Sequence, residues 1–256
     1  MARRWIRRVC KAVLVVALLV AAADGMSLWK EEAQFDALWR EAYHMPEEAK
    51  RSRWMTGTDK GEGGVDLEAL QALNPQCVGY ISIKDTPLSY PVMQTEEENG
   101  MFYLTHAFDR SYHGNGTPFL DMRCNTRTPS DNLIVYGHNT RNTKMFSCLR
   151  FYREEAYFKE HPVIRFDHEN GGDYQIFAVL FESLSDENNR DLFAMVDQKP
   201  GDEEAWEAFL DYLKKERLYD TGVEAEVTDK LLTLSTCYRP IDNGRVLIFA
   251  KKQSEK

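Results

Sequence analysis

From Val78 onward the chain is cut into short runs of β-branched and aromatic residues, and that rhythm constrains the fold more than any other feature. The runs are VGYISI (78–83), LSYPVM (88–93), TPFLDMR (117–123), LIVYGH (133–138), PVIRFDH (162–168), DYQIFAVLFES (173–183), KLLTLSTC (230–237) and RVLIFAKK (245–252). Each has strand length and is separated from the next by Gly, Asn, Asp or Pro turn formers. Eight strands with few helices predict a closed or nearly closed barrel, because closure removes unpaired edges. A helical pattern interrupts the series: Asp202 precedes EEAWEAFLDYLKKERLYD, which sets Trp206, Phe209, Leu210 and Leu213 on one side. The predicted class is mainly β, an eight-stranded barrel with two N-terminal helices and a helical insertion before the last two strands.

Those two helices precede the strands. Ser27 can cap one that carries Leu28, Phe35, Leu38 and Trp39 as an apolar stripe, limited by Pro46. Asp66 can cap a short second one, LEALQALN, which Pro75 stops. Further upstream, Arg3, Arg4, Arg7, Arg8 and Lys11 lead into the unbroken apolar run Ala12–Ala23. Counted from Val9 to Leu28, the run reaches the roughly 20 residues that a membrane span needs. The expectation is a single-pass anchor with its basic end inside and the body outside. A cleaved signal peptide is the rival, since Ala21-Ala22-Ala23 resembles a cleavage site. The expected division is 1–28 for the basic segment and anchor, 29–76 for the helical appendage and 77–256 for the catalytic barrel. Removing those five basic residues leaves the rest more acidic than the whole-chain charge of −9. An acidic body argues against nucleic acid, whose phosphates need a positive footprint.

Five cysteines are scattered without a CxxC, so neither a zinc site nor a thioredoxin-like motif is supported. Cys237 ends a predicted strand. Side chains alternate along it, so Leu232, Leu234 and Thr236 share the core face, and Thr233, Ser235 and Cys237 share the other. A lone strand cysteine is usually a small buried hydrophobe. His138, at the end of LIVYGH, changes that reading, because a thiol nucleophile needs an imidazole that is near in space rather than in sequence. Arg245 follows Cys237 after a turn-forming stretch with Pro240, Asp242, Asn243 and Gly244. If the flanking strands pair, guanidinium and thiol meet at one end of the barrel, where Arg can donate to an oxyanion.

TLSTC at 233–237, YGHN at 136–139 and the Gly-Arg pair at 244–245 resemble the sortase active-site set. The likeness covers roughly residues 65–252. YPVMQ at 90–94, FLDMR at 119–123, the paired N-terminal helices and the helix before the last two strands resemble class B sortases in particular. The resemblance implies an eight-stranded sortase barrel with catalytic Cys237, His138 and Arg245. It also implies that secreted proteins bearing a C-terminal sorting signal, often NPQTN-like, are cleaved after Thr through a thioester. The acceptor would be an amine of a cell-wall precursor of the lipid II type. Ser235 and Tyr136 match motif positions, and Leu104 is a candidate for the substrate groove. The Tyr238 N–H is expected to join Arg245 in holding the oxyanion. The expected location is the cell membrane, with the catalytic domain extracellular.

No metal or cofactor is expected. Glu96, Glu97 and Glu98 are adjacent, but they lack the alternating spacing of calcium ligands. Two other readings stay open: a hydrolytic cysteine protease, and a membrane-tethered, non-catalytic β-barrel binding module in which Cys237 is a packed thiol. An L,D-transpeptidase is disfavoured because no Ser-His-Gly run leads into the cysteine.

Overall fold

The structure is a computed structural model that describes residues 65–140, 144–185, 196 and 203–254. The apolar run, the first predicted helix and Asp202 lie outside the described residues. Among those described, no helix is long and apolar enough to cross a membrane.

Helix α1 (Leu67–Leu73) starts where Asp66 accepts from the Ala69 N–H at 2.9 Å and ends at Asn74, before Pro75. Then come β1 (Cys77–Ser82), β2 (Ser89–Met93), β3 (Phe119–Leu120) and β4 (Asn132–Tyr136). After α2 (Glu155–Glu160) follow β5 (Val163–Asp167), β6 (Gly172–Ser183), α3 (Glu203–Glu216), β7 (Leu231–Cys237) and β8 (Gly244–Lys252). The strands close into a barrel, as the pattern predicts, and their order around it is β1-β2-β3-β4-β7-β8-β6-β5. β2–β3 and β4–β7 are parallel and the other pairs are antiparallel.

β3 is much shorter than its seven-residue pattern. Asp121 ends it: its carboxylate accepts from the Arg123 N–H at 3.0 Å and its carbonyl from the Cys124 N–H at 3.0 Å, which turns the chain. The 3₁₀ stretch Ser147–Arg153 and α2 fill the connection from β4 to β5, which the strand rhythm does not announce. α3 stops at Glu216, short of the predicted Asp220.

Alternation sorts the strand residues between two cores. Leu133, Val135, Leu232, Leu234, Val246 and Ile248 fill the barrel interior. Leu231, Leu247 and Phe249 point outward, where Trp206, Phe209, Leu210 and Leu213 of α3 cover them. Each such side chain removed from water contributes about 1.5–3 kcal/mol before ordering entropy is charged. The outer face of β7 is therefore not an open polar face. Thr233 is fully buried and donates to Asn132 Oδ1 at 2.8 Å, Ser235 is 2% exposed, and only Cys237, at the strand's end, emerges.

Candidate active site

At one rim of the barrel β4 and β7 end and β8 begins. In the parallel β4–β7 ladder Tyr136 lies opposite Ser235, and the Gly137 N–H continues the ladder by donating to the Ser235 carbonyl at 3.2 Å. His138 and Cys237 each lie two residues beyond that pair, at the same end of the two strands. Across the β7–β8 hairpin Cys237 lies directly opposite Arg245. The order along the rim is thus His138, Cys237, Arg245, with Cys237 and Arg245 on the outward parity of their strands and His138 in the loop that follows β4.

Local contacts fix the His138 end. Phe146 lies over Gly137 so closely that an added Cβ would sit 2.7 Å from its ring, which is why the motif needs glycine there. The Phe146 N–H donates to the His138 carbonyl at 3.0 Å. His138 Nε2 is 2.9 Å from the Leu104 carbonyl. A carbonyl can only accept, so Nε2 carries the hydrogen and Nδ1 is the working position of the ring. Leu104, a candidate for the substrate groove by its side chain, thus orients the imidazole through its main chain. That role leaves no trace in sequence, because every residue has a carbonyl.

Four cysteines fall in the described residues and all four are free thiols. Cys77, Cys124 and Cys148 are buried; burial pushes the Cys77 thiol up to about 12 and the Cys148 thiol up to about 11. Such thiols are poor nucleophiles near neutrality. Cys237 is exposed, the one among the described cysteines that solvent reaches.

On the other side of Cys237, the Tyr238 N–H donates to the Gly244 carbonyl at 2.8 Å, and Arg245 Nη1 donates to the same oxygen at 3.0 Å. The expectation that Tyr238 offers a free N–H to an oxyanion is therefore corrected: the closing bond of the hairpin takes it. Gly244 is required at this close approach, since a Cβ would lie 2.4 Å from the Tyr238 carbonyl oxygen. The Tyr238 ring packs edge-on against Phe181 at 4.8 Å, and its hydroxyl accepts from Arg153 at 3.0 Å.

Tyr136 and Ser235 line the base of the rim rather than its surface. The Tyr136 hydroxyl donates to Asp121 Oδ2 at 2.9 Å, and burial raises its phenol, so it stays a neutral donor. Burial alone would raise the Asp121 carboxyl. The bonds from Arg123 and Tyr136 outweigh it and hold the group below the usual carboxylate range. FLDMR thereby braces β4 just before His138. Ser235 is buried, whereas Leu104 and Tyr136 are half-buried.

No protein-family model matches the chain. It is 31% identical over 196 residues to sortase B of Listeria monocytogenes, covering 75% of each chain. Against sortase B of Staphylococcus aureus it is 30% identical over 172 residues, covering 67% of each. The solved complex of Staphylococcus aureus sortase B with substrate superposes with a TM-score of 0.68 at 25% identity, covering 90% of this chain and 100% of that one.

Proposed function

The chain belongs to the sortase B family of cysteine transpeptidases, and we propose that its rim cleaves C-terminal sorting signals of secreted proteins after Thr and passes the protein to an amine. The observation that supports this reading is the register that pairs Cys237 with Arg245 across β7–β8 and Tyr136 with Ser235 across β4–β7, so that His138 follows the end of β4 at the rim where Cys237 ends β7.

In the proposed reaction the Cys237 thiolate attacks the carbonyl carbon after Thr, and Arg245 donates to the resulting oxyanion. Collapse breaks the C–N bond, His138 gives its Nδ1 proton to the leaving amine, and a thioester on Cys237 remains. An amine of a cell-wall precursor of the lipid II type then attacks the thioester. His138 takes up its proton and Cys237 leaves as thiolate. Arg245 must turn from the Gly244 carbonyl to reach an oxyanion, a movement of one flexible side chain. The basic residues and apolar run at the N-terminus support a membrane anchor that holds this barrel on the extracellular side.

Incubation of the full chain with an NPQTN-like peptide, with and without a glycine oligomer, tests the reading by mass spectrometry. The expected result is an acyl adduct on Cys237, discharged into peptide–amine product when the amine is present. Cys237→Ala should lose both. Product formed by Cys237→Ala, or hydrolysis alone in the presence of amine, would refute it.

A further inference from the structure

We infer that Asn139 is a positioning residue, which ties the His138 loop to the main chain of Cys237 and thereby fixes the imidazole-to-thiol geometry; this rests on the catalytic reading above. Asn139 Nδ2 donates to the Cys237 carbonyl at 2.9 Å, across 98 positions of sequence.

The place of this bond in the sheet gives it its meaning. In a parallel ladder successive rungs advance by two residues on each strand. The Gly137 N–H to Ser235 carbonyl rung is followed in register by one from position 139 to the Cys237 carbonyl. The Asn139 side-chain amide makes that rung. The chain at 139 has already turned away: Asn139 bridges antiparallel to Met145, and the Phe146 N–H takes the His138 carbonyl. His138 therefore sits on a loop folded back on itself, closed further by the Ser147 and Thr140 hydroxyls at 3.0 Å. Side-chain bonds join that loop to the nucleophile strand among the described residues, Thr236 Oγ1 to the Gly137 carbonyl at 2.7 Å and Asn139 to Cys237. They bracket His138 in sequence, and the second grips Cys237 itself. Asparagine suits the position because the acceptor is a carbonyl. Aspartate, of the same shape, has no hydrogen to give and would bring a negative charge beside a thiolate.

The test uses the full chain with Asn139→Asp, Asn139→Ala and Asn139→Gln, reading kcat and KM for the sorting peptide and the pH dependence of Cys237 alkylation by iodoacetamide. Asp and Ala are expected to lower kcat by about tenfold or more with KM within about twofold, since small misplacements of reacting groups cost that much. Both should displace the pH midpoint of alkylation from that of the wild type, and Gln, which keeps a donor, should recover part of the lost kcat. Wild-type kcat and alkylation in the Asp and Ala variants would overturn the inference. So would a loss accompanied by an unchanged pH midpoint, because that is what a merely structural bond produces. Should Asn139→Ala fail to fold, Asn139→Leu, similar in size with neither donor nor charge, carries the same readouts. Activity retained by Cys237→Ala would sink the catalytic reading. An inactive Cys237→Ala beside normal Asn139 variants would sink this inference alone.

Discussion

Arg245 reaches back to the carbonyl of its own neighbour, Gly244, at 3.0 Å, while its backbone faces Cys237 across the hairpin. A lysine there would keep the charge but lose the planar fork that lets one group donate in two directions. Arg245→Lys is expected to lower kcat for the sorting peptide by about 10²-fold, the usual cost of removing an oxyanion donor, with thermal stability unchanged. Near-normal turnover would remove Arg245 from that role. At this scale, alternation in β7 was enough to separate Cys237 from Leu232 and Leu234. It could not show that Ser235 is buried, that the Tyr238 N–H is spent within the hairpin, or that the Leu104 carbonyl orients His138. Those facts depend on which backbone groups face one another, and backbone groups are alike in every residue.

Helix α3 seals the outer face of the sheet that carries Arg245. Its Trp206 is 1% exposed, with the Phe209 ring 5.8 Å away, and Phe209 stands edge-on to Phe249 of β8 at 6.0 Å. Trp206→Ala should cost about 3–5 kcal/mol in urea denaturation, the range for emptying a large aromatic site. Glu207→Ala, on the exposed face of the same helix, should stay within about 0.5 kcal/mol. Equal effects would mean that the helix is not a structural cover. The helix was legible from its 3.6-residue stripe and the β7–β8 hairpin from its turn residues, because both are local. The parallel β4–β7 pairing was not, since nothing in either strand names a partner about a hundred residues away.

For the molecule as a whole, one source of acid sensitivity is His168, buried at the β5–β6 turn. The Asn170 N–H donates to its Nδ1 at 3.3 Å, and its Nε2 lies 3.2 Å from the Tyr174 hydroxyl. Burial first, and the Lys252 charge second, outweigh a bond to the Thr126 backbone and lower its value from 6.5 to about 4. Above the unfolded value both states hold a neutral ring and this group adds no pH dependence. As pH falls the unfolded chain takes up the proton first, so stability is lost between about pH 6.5 and about pH 4 and then levels off. His168→Gln should flatten the drop in unfolding free energy between pH 7.5 and 4.5 by about 2–3 kcal/mol. An unchanged slope would place the acid sensitivity elsewhere. By itself, the order of residues determined the strand count, the barrel class and the outward placement of the thiol, because hydrophobic alternation and turn chemistry are local. Only the tertiary structure decided that His138, Cys237 and Arg245 share a rim, and that Asn139 and Leu104 hold two of them there. Closing a barrel selects one register among many, and that selection is made by the packing of the whole sheet.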